Sequence, residues 1–264
     1  MYGSLREITS KDNRIFRHAV SLKKKKYRDR FGEYLIEGPN LLKEALKEGV
    51  FVEAVFVRPD MTEEEKALLS PENGLAEKTF VLPRSLFDEL KDTETPQGIA
   101  AVVRKPDFED RNAPGGNYLV LDRVQDPGNI GTLLRTADAA GYELAIFVKG
   151  TADPFGAKVV RSAAGSLFRM PLYFAEDNDD LVDFVHSRGK RLIAAVLEGD
   201  KAYYECDLKR NAAVIIGNEG NGIDPDLIER ADERITIPMA GNTESLNASV
   251  AGGILMYERI RREE

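Results

Sequence analysis

Residues 213–224 read AVIIGNEGNGID: an apolar run leads directly into a loop with three glycines and two asparagines. Short apolar runs bounded by glycine or proline are typical of buried strands. Further strands are predicted at 118–121, 145–148, 192–196 and 234–237, and helices near 130–140, 179–187, 224–230 and 246–262. Because strands alternate with helices and each strand is almost wholly apolar, the C-terminal half is predicted to be a parallel sheet with helices on both faces.

A smaller α/β unit is predicted for the first hundred residues. A helix is predicted to begin near Asp12 or Asn13, and another at Gly38-Pro39, where proline fits the first helical turn. Residues 105–116 then collect proline, glycine and charged residues with almost no apolar side chains, which is typical of a linker. The predicted domains are therefore 1–104 and 117–264, joined by the linker 105–116.

The composition excludes several classes of protein. Of the 264 residues, 42% are hydrophobic and 31% charged, which excludes disordered and fibrous chains. The single cysteine, Cys206, permits no internal disulfide, and two histidines cannot complete a Cys/His zinc site, so no metal is predicted. No apolar run approaches the roughly 18 residues of a membrane span, and the N-terminal stretch does not read as a signal peptide. We therefore predict a cytoplasmic protein with no membrane partner.

Charge is distributed unevenly along the chain. The net charge is −8, yet the first thirty residues hold ten Lys/Arg against three Asp/Glu, which leaves −15 for the other 234 residues. A basic segment on an acidic body is typical of a surface that follows nucleic-acid phosphates. A solvated helix face has the same composition, so charge alone leaves both interpretations open.

The loop after the strand predicted at 118–121 carries polar residues. It reads DRVQDPGNIG at 122–131 and leads into a helix. Asn129 offers both a hydrogen-bond donor and an acceptor, and Arg135 lies one helical turn after Gly131, so both could face the same loop end. The alternative is a turn with a helix N-cap, and an arginine that only forms a surface ion pair.

Two further loops also follow predicted strands. The loop 217–224 exposes backbone amides around Glu219, and its glycine spacing fits neither a P-loop nor the dinucleotide-binding pattern. The loop 238–247, PMAGNTESLN, holds Ser245 and Asn247, either of which could simply be the N-cap of the next helix. Because ligands of parallel sheets bind at the carboxyl ends of the strands, these loops are the candidate site.

Three segments together resemble the three signature motifs of the SpoU/TrmH family of RNA ribose 2'-O-methyltransferases, in the SPOUT class. They are DPGNIGTLLRTADAAG (126–141), IIGNEGNGI (215–223) and IPMAGNTESLNASVAGGILMYE (237–258), and their order and spacing match the family. The N-terminal unit, including YLIEGPNLLKEAL at 34–46, resembles the family's RNA-substrate-binding domain, whose fold is shared with some ribosomal proteins. The resemblance covers nearly the whole chain.

The resemblance implies an α/β fold in which the C-terminal domain contains a deep trefoil knot, a feature otherwise nearly absent from proteins. It also implies S-adenosylmethionine as the methyl donor and a homodimer formed through the C-terminal domain. When the family's motifs are matched to this sequence, the residues expected to contact the methyl donor are Gly217, Ile237, Leu246 and Asn247.

The same resemblance implies the catalytic residues Arg135, Asn129, Glu219, Ser245 and Asn247. An arginine side chain stays protonated in proteins and is therefore a poor base. We therefore expect Arg135 chiefly to clamp a phosphate and orient the 2'-hydroxyl, while Asn129, Glu219 and either Ser245 or Asn247 fix its geometry.

RNA is the expected partner, and the resemblance favours ribosomal RNA over tRNA. The expected RNA-binding residues are Lys23, Lys24, Lys25, Lys26, Arg28, Lys158, Arg161 and Arg169. Phe155 is either a base-stacking contact or a packing residue. The alternatives are a tRNA 2'-O-methyltransferase and a non-catalytic RNA-binding or ribosome-assembly factor; an NAD-dependent enzyme is disfavoured because no dinucleotide fingerprint follows a predicted strand.

Overall fold

A computed structural model of the chain describes residues 5–92, 97–107 and 116–261. The described residues form two units, each built on its own sheet. The first unit comprises the residues up to Asp107 together with Phe155–Phe168, and the second comprises the rest. Most of the predicted linker 105–116 lies outside the described residues, and the predicted domain bounds stay a prediction.

The bounds of the elements, numbered along the chain, are as follows. The helices are α1 (Arg14–Ser21), α2 (Lys25–Phe31), α3 (Pro39–Lys47), α4 (Glu63–Leu68), α5 (Arg84–Leu90), α6 (Pro127–Ala139), α7 (Ala157–Ser162), α8 (Asn178–Ser187), α9 (Pro225–Arg230) and α10 (Ala248–Tyr257). The strands are β1 (Arg6–Glu7), β2 (Glu33–Glu37), β3 (Val52–Val57), β4 (Thr79–Val81), β5 (Ile99–Arg104), β6 (Tyr118–Asp122), β7 (Leu144–Val148), β8 (Leu172–Ala175), β9 (Arg191–Ala195), β10 (Lys201–Ala202), β11 (Ala212–Gly217) and β12 (Glu233–Thr236). Short 3-10 helices span Pro71–Asn73, Ala76–Lys78, Ser166–Phe168, Tyr203–Glu205 and Glu258–Ile260.

The sheet of the first unit has the order β1-β4-β3-β5-β2, with β5 antiparallel to β3 and β2. Asn13 caps α1 by accepting hydrogen bonds from the N–H groups of Ile15 and Phe16, and Pro39 opens α3, so both predicted helix starts are confirmed. Phe16 and Phe56 are fully buried in the hydrophobic core of this unit.

The predicted basic segment is divided between two helices, because α1 ends at Ser21 and α2 begins at Lys25. Arg28 of α2 is only 7% exposed, and its Nη1 donates to the carbonyls of Leu22 at 2.8 Å and Lys23 at 2.9 Å. Carbonyls that follow a helix end lack intrahelical partners, so this guanidinium satisfies them. Contrary to its predicted place among the RNA-binding residues, Arg28 is turned into the fold.

The sheet of the second unit contains seven parallel strands in the order β10-β12-β9-β11-β6-β7-β8. One face carries a buried core that includes Val120, Ile146 and Leu181 of α8. The other face is covered by α6 and α10, which approach so closely that a Cβ on Gly252 would lie 2.2 Å from a methyl carbon of Leu133. The predicted parallel sheet with helices on both faces is therefore confirmed.

This strand order brings the candidate loops together. β11 pairs with β6, so that Gly217 lies opposite Asp122, and β9 separates β11 from β12. The loops after β6, β9, β11 and β12 therefore share one carboxyl edge of the sheet. Among the described residues, no helix is both long and apolar enough to cross a bilayer.

Candidate active site

Side chains from the three sequence motifs form one hydrogen-bonded chain at this edge. Asn129 Nδ2 donates to Glu219 Oε1 at 3.0 Å, and Asn247 Nδ2 donates to Asn129 Oδ1 at 3.0 Å. Because its amide acts as donor and acceptor at once, the orientation of Asn129 is fixed. The structure thus brings together three of the five predicted catalytic residues, and we call this chain the Glu219–Asn129–Asn247 network.

Two helix N-termini hold the asparagines in place. α6 begins at Pro127, and its N-cap Asp126 accepts from the N–H of Asn129 at 2.9 Å, which fixes the first turn. Asn247 is the N-cap of α10: its Oδ1 accepts from the N–H of Ser249 at 2.9 Å, while its amino group reaches Asn129. Asn247 is therefore the N-cap of α10, and it belongs to the Glu219–Asn129–Asn247 network as well.

The carboxylate of Glu219 receives hydrogen bonds from the start of α6 as well. The N–H groups of Asp126 and Gln125 donate to it at 3.0 Å and 3.1 Å, in addition to Asn129. Burial alone would raise the pKa of Glu219, but the hydrogen bonds from Asn129 and the backbone outweigh it, and the pKa is lowered from its ordinary value. Glu219 therefore acts as an anionic clamp between the loops after β6 and β11.

Replacing Glu219 by glutamine is expected to lower the free energy of unfolding by about 1 kcal/mol at neutral pH, because an NH2 group replaces an acceptor oxygen that faces N–H donors. We expect this loss of unfolding free energy to be small because Glu219 is exposed, and solvent screens the interactions of an exposed charge. A lowered folded-state pKa stabilises the protein above the ordinary value of 4.5, and this stabilisation is lost as the pH falls below it. The unfolding free energies of wild type and variant, measured with urea, should therefore converge as the pH falls from 4.5 through the lowered folded-state pKa of Glu219.

The matched control for this pH series is Glu229→Gln, because Glu229 is exposed on α9 and its side chain has no hydrogen bond or ion pair with any other described residue. Its unfolding free energy should follow that of the wild type at every pH. A Glu219→Gln difference that stays constant with pH would contradict the anionic clamp.

Gly217, the last residue of β11, lies where no side chain fits. A Cβ at this position would lie 2.4 Å from the carbonyl carbon of Gly222 and 2.4 Å from the nitrogen of Ile223. The loop folds back over Gly217 through two backbone hydrogen bonds between Asn218 and Gly222, at 3.0 Å and 2.9 Å. The glycine therefore permits the tight loop that carries Glu219.

Asp122 and Arg123, which the sequence pattern did not indicate as site residues, tie the same loops together. Asp122 is fully buried and accepts from Arg123 at 3.0 Å and 3.1 Å and from the N–H of Asp224 at 2.7 Å. Arg123 has a left-handed backbone (φ 54°), and its carbonyl accepts from Asn218 Nδ2 at 2.8 Å. The sequence signal that could have identified Asp122 is an aspartate at the carboxyl end of an apolar strand.

The sequence pattern also did not indicate the loop after β9, which lies at the same carboxyl edge of the sheet. A Cβ on Gly199 would lie 2.6 Å from the carbonyl carbon of Ile235, so this loop runs directly along β12. Leu197 is exposed, and its carbonyl accepts from Thr236 Oγ1 at 2.8 Å. A molecule with an adenine ring and a methionine chain requires apolar contacts and backbone hydrogen bonds, which these loops offer together.

The remaining predicted site residues lie around the network without joining it. Ile237 and Leu246 are half-buried at the two ends of the loop after β12. Ser245 and Arg135 are exposed, and neither side chain has a hydrogen bond or ion pair with another described residue. Arg135 lies six residues after Asn129 on α6 and therefore points from another face of that helix. Within one chain, Arg135 does not contact the network.

The predicted RNA-binding residues differ in their surroundings. Lys23 Nζ donates to the Lys91 carbonyl at 2.9 Å, and Lys25 pairs with Asp29 at 2.7 Å. Lys24, Lys26 and Lys158 are exposed.

Three residues from the later part of the predicted set are engaged in the fold. Arg161 lies 3.5 Å from Asp92, and Arg169 pairs with Asp138 at 2.8 Å. Phe155 is buried with its ring 5.0 Å from that of Tyr34, which agrees with the packing alternative. Over the described ranges, no group of three or more His, Cys, Asp or Glu residues is placed to hold a metal ion.

Known proteins are similar to this chain over nearly its whole length. The model of the SpoU rRNA Methylase family matches residues 116–257, and the model of the MRM3-like substrate binding domain matches residues 13–101. The 23S rRNA (guanosine(2553)-2'-O)-methyltransferase of Bacillus subtilis is 37% identical over 96% of this chain and 98% of its own length.

Two solved structures with bound AdoMet are also similar to this chain over nearly its whole length. An rRNA methyltransferase from Sinorhizobium meliloti with bound AdoMet superposes with a TM-score of 0.83 at 30% identity, covering 96% of this chain and 97% of the other. The SpoU methyltransferase AviRb from Streptomyces viridochromogenes, in complex with AdoMet, gives a TM-score of 0.85 at 28% identity over 94% and 97% of the two chains.

Proposed function

Since the chain belongs to the SpoU rRNA methylase family and is an S-adenosylmethionine-dependent RNA ribose 2'-O-methyltransferase, we propose that its substrate is a ribose of large-subunit ribosomal RNA. Two findings support this substrate. A substrate-binding domain is matched beside the catalytic region, and the Bacillus subtilis relative, similar over almost its full length, is named for 23S rRNA. The single observation that carries the assignment of the site is the Glu219–Asn129–Asn247 network.

In this proposal the side chains orient the reacting groups. A ribose hydroxyl is a weak nucleophile, so its rate of reaction depends on alignment and on the loss of its proton. Arg135 holds the phosphate beside the target ribose through two parallel N–H donors, which fixes the direction of the 2'-oxygen. The network holds the loops around the site, and Ser245, exposed beside it, is the further polar contact for the ribose.

The methyl donor is proposed to lie against Gly217, Ile237, Leu246 and Asn247. S-adenosylmethionine, when bound, supplies an electrophilic methyl group on a sulfonium. The exposed loops after β9, β11 and β12 offer backbone hydrogen bonds and apolar surface at the carboxyl edge, where ligands of parallel sheets bind.

Tritiated S-adenosylmethionine tests the substrate proposal. The protein is incubated with large-subunit rRNA, small-subunit rRNA and total tRNA in separate reactions, and the label is mapped by its resistance to alkaline hydrolysis, which marks a 2'-O-methylated ribose. We expect label only in the large-subunit RNA. Label confined to tRNA or to small-subunit rRNA would refute the proposed substrate.

We also propose a homodimer through the C-terminal region. α10 contains no charged residue, and a helix that is apolar on all sides is normally buried. Yet Val250 and Tyr257, two turns apart on one face, are 51% and 47% exposed. A second copy would cover this face and place the RNA site near the subunit interface. The trefoil knot, the predicted domain bounds and the cytoplasmic location are further proposals from the family resemblance.

Val250→Glu is expected to convert a dimeric wild type to monomer, because a charge would be buried in the apolar interface. Sedimentation velocity at micromolar concentration gives the oligomeric state. The control is Glu229→Gln, which leaves that face unchanged and should sediment as the wild type does. A monomeric wild type, or a dimer that tolerates Val250→Glu, would contradict this interface.

A further inference from the structure

The first unit exposes an aromatic ring among exposed cations. Phe31, the last residue of α2, is 39% exposed, although a ring of this size is usually buried. Phe31 and His18 form a T-shaped pair with 4.7 Å between the ring centroids, and Tyr27 stacks beside Phe31 at 6.2 Å with an interplanar angle of 11°. These neighbours hold the Phe31 ring in a fixed orientation on the surface.

The charged groups around this ring are strongly biased towards positive charge. Two carboxylates of this region already have partners: Glu33 is hydrogen-bonded to His18 at 2.5 Å, and Asp29 forms ion pairs with Lys25 at 2.7 Å and Lys105 at 2.8 Å. Five exposed cations have no hydrogen bond or ion pair from their side chains to any other described residue. They are Arg14, Arg17, Lys24, Lys26 and Arg30.

Three of these cations can be placed relative to the ring and its neighbours. Arg30 lies over Phe31 with its guanidinium carbon 5.4 Å from the ring centroid. Lys24 lies one turn before Tyr27 along α2, and Arg14 lies one turn before His18 on the same face of α1. Proteins that hold single-stranded RNA combine this same pair of elements: cations that follow the phosphates and an exposed ring on which a base stacks.

We propose that Phe31 is a stacking platform for an unpaired base of the RNA substrate, with the five cations binding the adjacent phosphates. This inference rests on the proposed RNA substrate, and it adds an RNA contact outside the methyl-transfer site. It replaces Phe155, which is buried, as the base-stacking residue. A base of any type can stack, so the site selects unpaired RNA and does not select a sequence.

A second exposed ring in the same unit provides a matched control. Phe51 is 48% exposed, but Lys78 Nζ and the Arg104 guanidinium carbon lie 4.0 Å and 4.3 Å from its ring centroid. Two cations of the protein itself therefore lie close to the Phe51 ring, whereas Phe31 has one, Arg30, at 5.4 Å. Both phenylalanines are exposed, and the Phe31 ring is the less closely covered by cations of the protein.

The test measures affinity for a fluorescein-labelled 12-residue oligoadenylate over a range of salt concentrations. Phe31→Leu should weaken binding about tenfold without changing the slope of log K against log salt, because stacking releases no counterions. Phe31→Tyr should bind as the wild type does, and so should Phe51→Leu. Lys26→Met should instead reduce the salt slope by about 0.7. The same RNA hybridised to oligouridylate should show no effect of Phe31→Leu.

A fluorescence measurement reports stacking directly. The chain has no tryptophan, so Phe31→Trp and Phe51→Trp each introduce a single reporter. Oligoadenylate should quench the first and leave the second unchanged. The stacking platform is overturned if oligoadenylate does not quench the tryptophan of Phe31→Trp. It is also overturned if a folded Phe31→Leu variant binds oligoadenylate as tightly as the wild type does. Both conclusions hold even if the enzyme methylates ribosomal RNA. Absence of methylation in the tritium experiment would overturn the proposed substrate alone, since the oligoadenylate measurements need no turnover.

Discussion

Arg135→Lys is expected to lower kcat about 100-fold, which corresponds to about 2.7 kcal/mol of transition-state stabilisation. Lysine keeps the charge, but a single ammonium cannot hold a phosphate through two parallel N–H groups. Arg135 is exposed, and its side chain has no hydrogen bond or ion pair with another described residue, so its guanidinium is available for RNA. Because it lies outside the Glu219–Asn129–Asn247 network, the Kd for S-adenosylmethionine should stay within about twofold.

The comparison requires single-turnover rates at saturating RNA, with calorimetric titration of the methyl donor alongside. Arg210→Lys is the matched control, since Arg210 is exposed and lies just before β11, at the opposite end of that strand from Gly217. Its turnover should be unchanged. Near-normal turnover of Arg135→Lys would refute the two-pronged phosphate contact and leave a role for positive charge only.

Gly217→Ala is expected to raise the Kd for S-adenosylmethionine about 100-fold and to lower the free energy of unfolding by about 2 kcal/mol. The added methyl group would meet the backbone of Gly222 and Ile223 at 2.4 Å, and backbone cannot rotate away as a side chain can. The loop would have to open, which displaces Glu219 from Asn129. Calorimetric titration and chemical unfolding measure the two effects separately.

Gly220 supplies the control within the same loop. A Cβ there would have its closest contact with Asn218 Oδ1 at 3.7 Å, an ordinary van der Waals distance. Gly220→Ala should therefore bind the methyl donor within about twofold of the wild type. Wild-type affinity in Gly217→Ala would show that the loop after β11 does not shape the donor site.

The sequence was sufficient to predict the alternating elements, because apolar runs and glycine or proline boundaries are local signals. The predicted strand at 213–216 lies within β11, and the parallel sheet follows from the alternation. The motif residues Asn129, Glu219 and Asn247 were predicted as one site, and the structure adds the order of their hydrogen bonds.

The errors arose where long polar side chains turn inward. A run of lysines and arginines indicates a solvent-exposed surface, but it does not show that Arg28 binds two carbonyls at the end of α1. Asp122 and Arg123 are adjacent in sequence and resemble a surface ion pair, whereas a buried carboxylate and a left-handed backbone hold them within the site. Such roles depend on groups that are distant along the chain and on backbone angles.

The exposed cations in and beside α1 and α2 also affect how RNA approaches the protein. The first thirty residues carry a net charge of +7 and the remainder −15, so a polyanion is attracted to one region and repelled by the bulk of the chain. Long-range fields of this kind steer diffusing partners and select an orientation before contact. Encounter should therefore be fast and oriented at low ionic strength, and should slow steeply as added salt shortens the range of the field.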